Sequence, residues 1–235
     1  MYIVGFGVDI FDNDVEANMK IVDNINKELK SLKKYNILSR VSNVTGDDIV
    51  ITSLIPEELL EFHNKKIFEI LYKYAEGFDD LNGVSKDKDK AKEGVSYTYV
   101  KSLSKYGDAI VLGFDTYGGE SVVNDYALYV ERIAKKLGYE ASSSVCYEYK
   151  KIEGVGYSGK DTDDPIVIIA VKELEDIKKL STIIYGALLA FDNLYFVRNS
   201  TPISILPPGV IYTMSAFLNG NIIDLYEGIK RRVRF

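Results

Sequence analysis

Residues 2–11, YIVGFGVDIF, and residues 36–52, NILSRVSNVTGDDIVIT, decide how this chain is read. In the first, Ile3, Val4, Phe6, Val8 and Ile10 make a near-continuous apolar run, as in a central strand. Gly5 and Gly7 interrupt it, so something packs closely on the sheet there. No third glycine opens the following helix, which rules out a dinucleotide-binding fingerprint. The second stretch predicts a β-hairpin with arms Ile37–Val44 and Asp48–Thr52 and a turn near Thr45-Gly46-Asp47. Between the two, Val15, Met19, Val22, Ile25, Leu29 and Leu32 recur at helical spacing. They predict a helix over Asp14–Leu32, with Asn13 or Asp14 as its N-cap. Asp9 thus ends a strand and Asp47 sits in a hairpin turn, and the two carboxylates meet if the strands share a sheet.

Further along, Leu59, Leu60, Phe62, Ile67, Ile70, Leu71 and Tyr74 predict a second amphipathic helix, with Pro56 before it. Residues 77–94 are charged and without apolar period, which predicts a mobile loop. Val95–Leu103 and Ala109–Phe114 read as a second hairpin turning at Lys105-Tyr106-Gly107-Asp108. DTYGGES then leads into a helix through Val122, Tyr126, Val130 and Leu137, stopped by Gly138. Strands follow at Ser143–Tyr149 and Ile166–Val171, and a helix at Leu174–Leu189. The remainder reads as short strands with a hairpin at Leu218-Asn219-Gly220-Asn221 and a basic tail, KRRVRF.

These elements predict an α/β (α+β) fold: a ferredoxin-like or palm core, its mixed and mainly antiparallel sheet covered by helices. One domain is expected over 1–190, with 191–235 packing on it. The order strand, helix, hairpin, helix of Tyr2–Tyr74 recurs loosely over Ile110–Leu189. Asp115 then corresponds to Asp9, and Asp163-Asp164 to Asp47-Asp48. A duplication accounts for this, and so does the general likeness of any two βα units.

Composition narrows the function. The net charge of −6 lacks the basic footprint of a nucleic-acid binder. The sequence shows no apolar run of membrane-spanning length and no basic-then-apolar leader, so a cytoplasmic protein with no membrane partner is expected. The single cysteine, Cys146, excludes an internal disulfide and a multi-cysteine zinc site.

The strand ending VDIF, the helix, and the hairpin carrying TGD with its aspartate 38 residues after Asp9 together resemble the catalytic domain of class III nucleotide cyclases. GGDEF and polymerase-palm domains share that layout. The resemblance implies that Asp9, Asp47 and the main chain of Ile10 hold two divalent cations, Mg²⁺ or Mn²⁺. It implies a second patch as well: Asp115, within Phe114-Asp115-Thr116-Tyr117-Gly118, to read the base, Asn124 to position the ribose, and Arg132 to stabilise the phosphorus centre. Where adenylate cyclases carry a base-selecting lysine and guanylate cyclases a glutamate, this chain has Asn43, which leaves pyrimidine triphosphates open. The family's arginine position holds Leu128, with Arg132 one turn later. In that family the two patches meet across a head-to-tail homodimer.

The activity so implied converts a nucleoside triphosphate to a 3′,5′-cyclic monophosphate and pyrophosphate, as in the pyrimidine cyclases of anti-phage signalling. Two rivals stand beside it. One is a ring-opening GTP hydrolase of the GTP cyclohydrolase III type, built on tandem palm repeats, which the internal echo favours. The other is a non-catalytic nucleotide-binding or assembly protein. Each residue also has a plainer reading: Asp9 as a helix cap, Asp47 as a turn residue, Asp115 and Asn124 as helix-leading polar groups, Arg132 as a surface cation. Asp48 is expected to point to the other side of its strand from Asp47. His63 is expected at the surface or boundary, and Tyr117-Gly118-Gly119 as a flexible turn.

Overall fold

The N-terminal strand forms as β1 (Tyr2–Val8), with Val4, Phe6 and Val8 on one face and Ile3, Gly5 and Gly7 on the other. The computed structural model describes residues 1–12, 14–117, 122–160, 164–203 and 206–233. From β1 the chain continues through α1 (Met19–Ser31), β2 (Leu38–Thr45), β3 (Asp48–Ile55), α2 (Leu60–Tyr74), a short α3 (Asp79–Gly83) and β4 (Ser96–Lys101). The four strands lie in the order β2-β3-β1-β4, all antiparallel. A βαββαβ chain in this order is a ferredoxin-like unit.

The same plan then repeats. β5 (Ala109–Tyr117), α4 (Val123–Lys136), β6 (Glu140–Ser143), β9 (Ile166–Ala170), α5 (Leu174–Leu188) and β11 (Gly209–Leu218) give the order β11-β5-β9-β6, again antiparallel. A two-stranded ribbon, β7 (Lys150–Ile152) with β8 (Gly156–Ser158), is inserted between β6 and β9. β10 (Leu194–Phe196) runs parallel to β11 on its free edge. β12 (Asn221–Asp224) folds back on that edge through the predicted Asn219-Gly220 turn, and α6 (Tyr226–Val233) ends the chain. The internal echo is therefore a repeated topology, with β5 standing where β1 stands and β11 where β4 stands.

The two sheets face each other and carry their helices on the outside. Val4, Phe6, Val8, Ile49 and Ile51 pack under α1 and α2, while Ile110, Leu112, Phe114, Val167 and Ile169 pack under α4 and α5. Between the sheets lie Ile3, Val50, Leu54, Val111, Ile166 and Ile168. Fully burying an aliphatic or aromatic side chain contributes roughly 1.5–3 kcal/mol, so these three apolar layers hold the fold. The two glycines of β1 let the sheets approach. A Cβ on Gly5 would lie 2.7 Å from Cδ1 of Ile168, and one on Gly7 2.7 Å from Cγ2 of Ile166. Polar side chains in this layer satisfy one another: Thr98 donates to Ser142 at 2.7 Å, and the Thr45 and Thr213 hydroxyls lie 2.7 Å apart.

Several expectations are corrected. The first helix starts at Met19 with Asn18 as its cap, not at Asp14; the other candidate cap, Asn13, lies outside the described residues. Ser96–Lys101 and Ala109–Tyr117 do not pair as a hairpin, because the turn between them carries the chain from one sheet to the other. Residues 77–94 are an ordered wall rather than a structureless loop. The Lys92 N–H donates to the Gly83 carbonyl at 2.8 Å, Gly159 donates to Lys92, and Ser85 exchanges backbone bonds with Tyr157. The strand predicted at Ser143–Tyr149 is displaced to Glu140–Ser143. β11 pairs with β5 along nearly its whole length, so residues 191–235 supply the fourth strand of the second repeat. His63 is fully buried, 6.0 Å from the Phe6 ring, and burial pushes its imidazole down to about 4.

Candidate metal-binding site

At one end of the sheet sandwich the β2–β3 turn, the end of β1, the end of β5 and the start of β9 come together around a cavity of about 930 Å³. Nine of its fifteen described lining residues are acidic: Asp9, Asp14, Asp47, Asp48, Asp79, Asp80, Glu93, Asp115 and Asp164. Lys92 is the single cation among the described lining residues.

The turn between β2 and β3 positions the innermost acids. Gly46 takes φ +63° at the first turn position, and a Cβ there would sit 2.0 Å from Oδ2 of Asp115. A side chain would therefore both strain the backbone and displace that carboxylate. Asp48 opens β3 on the face that carries Val50, towards the second sheet. On β5, Val111, Gly113 and Asp115 alternate onto the opposing face. Oxygens of Asp47, Asp48 and Asp115 thus come within 4.8 Å of one another, all three residues being buried. Two unit charges at that separation repel by about 3–4 kcal/mol at an effective dielectric of 20, too much for three bare carboxylates to share comfortably. Burial and the surrounding acids shift the titration of two of them. Burial first, then the charge of Asp9, pushes the Asp47 carboxyl up to about 7. Asp48 is driven well above the ordinary carboxylate range by burial, then by Asp164, Asp115 and Asp47.

Asp9 is fixed at the rim. Its carboxylate accepts the Phe11 N–H at 2.7 Å, and its own N–H donates to Oδ2 of Asp80 at 2.9 Å. Asp80 lies on α3, so the 77–94 wall grips the first acid of the site through the backbone.

Of the residues singled out from the sequence, Asp9, Asp47 and Asp115 line this cavity together. Asp115 stands with the acids at the innermost point, a placement suited to holding a cation rather than to reading a base. The others lie elsewhere. The Ile10 carbonyl is taken by the N–H groups of Glu76 (2.8 Å) and Gly77 (3.1 Å), which removes it as a cation ligand. Asn43 is fully buried between the sheets and donates to the Thr213 hydroxyl at 2.9 Å and the Val111 carbonyl at 3.3 Å, so it selects no base. Asn124 and Arg132 are on α4 and do not line the cavity; Arg132 is exposed on the outer surface. Gly118 and Gly119 of the proposed turn, and Asp163 of the echo, lie outside the described residues.

Sequence reasoning left Asp14, Asp79, Asp80, Asp164 and Asp48 out of the site. Asp48 was set aside because alternation turns it away from Asp47, and so it does, but that side faces the second sheet and not solvent. The signal for Asp164 was the echo itself, which matched Asp163-Asp164 to Asp47-Asp48. No described helix is long and apolar enough to cross a membrane.

The family described as "Uncharacterised conserved protein UCP005278" matches residues 2–233, and the chain belongs to it. "Uncharacterized protein MJ1676" of Methanocaldococcus jannaschii is 60% identical over 235 residues, covering 100% of this chain and 99% of its own length. A relative in Methanothermobacter thermautotrophicus, named "Uncharacterized protein", is 36% identical over 238 residues, covering 99% of this chain and 96% of its own. Those names specify no ligand or reaction, so an argument about activity starts from the geometry of the acids.

Proposed function

We propose that this member of the UCP005278 family is a divalent-cation-dependent enzyme acting on a nucleoside triphosphate, with both halves of one chain supplying its acids. One observation carries the reading: Asp9, Asp47 and Asp48 of the first repeat converge with Asp115 and Asp164 of the second on a single cavity. The donor set fits hard cations, since every candidate ligand is a carboxylate oxygen and burial beside other acids holds Asp47 and Asp48 above the ordinary carboxylate range. Asp47, Asp48 and Asp115 would hold one such ion, and Asp9 with its neighbours at the rim a second. Divalent cations there would neutralise the phosphates of a nucleotide and stabilise charge developing during transfer. Without them the cavity would repel a triphosphate, because Lys92 is its single described cation.

Within that class, a hydrolase of the tandem-palm, ring-opening type is the favoured activity. Two ferredoxin-like units face each other within one chain, so the acids need no second subunit to meet. A nucleotide cyclase is the second reading, supported by the Asp9–Asp47 pairing. It is weakened by the places of Asn124 and Arg132, and a homodimer is not required to complete the acidic site.

Purified chain incubated with each of the four triphosphates and Mn²⁺ or Mg²⁺, with products separated by chromatography, tests this. A ring-opened or hydrolysed nucleotide supports the first activity, and a cyclic monophosphate the second. Four unchanged triphosphates overturn the enzyme reading. Asp48→Asn should abolish turnover in either case, whereas Arg132→Ala should leave it within about twofold, since an exposed side chain away from the reacting groups contributes little to the barrier.

A further inference from the structure

A second cavity, of about 400 Å³, lies on the outer side of the second repeat, away from the acids. Its floor is Tyr212 of β11, stacked on Phe196 of β10 with ring centres 5.0 Å apart and planes at 19°. Tyr185 of α5 and Tyr226 of α6 stand against Phe196 at 5.3 Å and 5.1 Å, so the slot is walled by aromatic rings. Two cations sit at its rim. The Arg198 guanidinium lies 5.5 Å from the centre of the Tyr226 ring and the Lys230 ammonium 5.3 Å from it. Arg198 also pairs with Glu227, but both partners are well exposed, and an ion pair of that kind is worth little and exchanges readily for a better anion.

In a chain of net charge −6 this basic rim stands out, and it borders a concave, aromatic surface. Aromatic faces stack on nucleobases, and an arginine fork matches phosphate oxygens. The volume falls within the roughly 300–1,000 Å³ of small-ligand pockets.

We propose that this cavity is a second, cation-independent binding site for a nucleoside phosphate, the base lying in the slot beside Phe196 and Tyr226 and the phosphate on Arg198 and Lys230. The site does not depend on what the acidic cavity does. It does share a segment with it. Arg198, Thr201 and Leu206 border the aromatic slot, while Ile203 lines the acidic cavity. That segment is tied to the first repeat by Ser200 N–H donating to the Val44 carbonyl at 2.9 Å and Ile203 N–H to the Val15 carbonyl at 3.1 Å. A ligand in the slot therefore contacts the segment from which Ile203 reaches the acidic cavity.

The test is calorimetric titration of the full chain with AMP, GMP, CMP and UMP in excess EDTA, which keeps the acidic cavity without divalent ions. At least one monophosphate should bind with unit stoichiometry, more tightly than its own nucleoside or inorganic phosphate. Arg198→Ala and Lys230→Ala should each weaken it by about tenfold, a free-energy change of about 1.4 kcal/mol, while Asp48→Asn leaves it unchanged. Both rim substitutions are of side chains at the surface, and unchanged thermal midpoints will confirm folding. Absence of binding by all four monophosphates up to about 1 mM, or binding that both rim variants retain in full, overturns the proposal.

Discussion

Replacing Asp47 by asparagine perturbs the acidic site at the group whose titration is most informative. The folded-state value near 7 lies about three units above the ordinary 3.8, because burial and Asp9 oppose ionisation. The folded protein therefore holds a proton that the unfolded chain releases. Stability from this group is complete below pH 4, declines as the pH rises from about 4 to about 7, and is fully lost above that. Three units correspond to roughly 4 kcal/mol, which solvent in an open cavity reduces to about 2 kcal/mol. For a chain of this size that is about 4–8 °C in thermal midpoint. Asparagine cannot ionise, so the Asp47→Asn protein should escape this decline. In EDTA its midpoint, minus that of the unaltered protein, should grow between pH 4 and pH 7 and then level off. Taking the difference removes the carboxylates remote from the site, among them Glu28 and Glu131, which are held below their usual range; Asp48, which feels the charge of Asp47, shifts with the substitution. Adding Mg²⁺ or Mn²⁺ at pH 8 should reverse the ranking. A cation at 100 times its dissociation constant stabilises by about 2.7 kcal/mol, and the variant should gain much less. Circular dichroism melts across this pH range, with and without cations, are sufficient. A midpoint difference that is flat with pH, together with equal gains on adding cations, would refute the account of the site.

Two further outcomes follow from the packing. Gly5→Val should cost about 1–3 kcal/mol in denaturant unfolding, because its side chain would enter space held by Ile168 and Ile166; a neutral result would mean the sheets are not in close contact at β1. Asn43→Ala should destabilise by about 1–3 kcal/mol through the loss of its bonds to Thr213 and Val111, and should not alter which nucleotide is used. A switch in base preference in that variant would restore Asn43 to the substrate site.

The first repeat was legible because its signals are local and agree. The apolar run of β1, the period of α1 and the Thr-Gly-Asp turn each predict their own element, and the spacing of Asp9 and Asp47 follows from them. What the sequence hid depends on which face meets what. Between Val41 and Asn43 the register of β2 shifts by a bulge, and a slip of one residue exchanges the faces. The shift turns Val41 to the helix side with Val44, while Asn43, still in register with the turn opposite Val50, faces the second sheet, where its hydrogen bonds are made. The turn at Tyr106-Gly107 does form, yet its residues carry no information on whether the flanking strands pair or part. Residues 77–94 looked structureless because their contacts are made by backbone and glycine packing rather than by an apolar period, as at Gly83 and Gly159. The expectation of short strands after α5 misses the length of β11, ten residues buried along nearly their whole length.

The connection leading from the second helix to the last core strand differs between the repeats, and this gives the acidic cavity a direction. In the first repeat it brings Asp79, Asp80, Lys92 and Glu93 to one wall; in the second it brings Ile203 to another. Two like halves meeting at one cleft would receive a bound molecule equally well either way round. Here the described lining from the first connection is mostly charged and that from the second is Ile203, so the two flanks of the cavity are chemically unlike. The repeated topology brings the acids together, and the unlike connections, with the ribbon inserted between β6 and β9, make the two halves unequal.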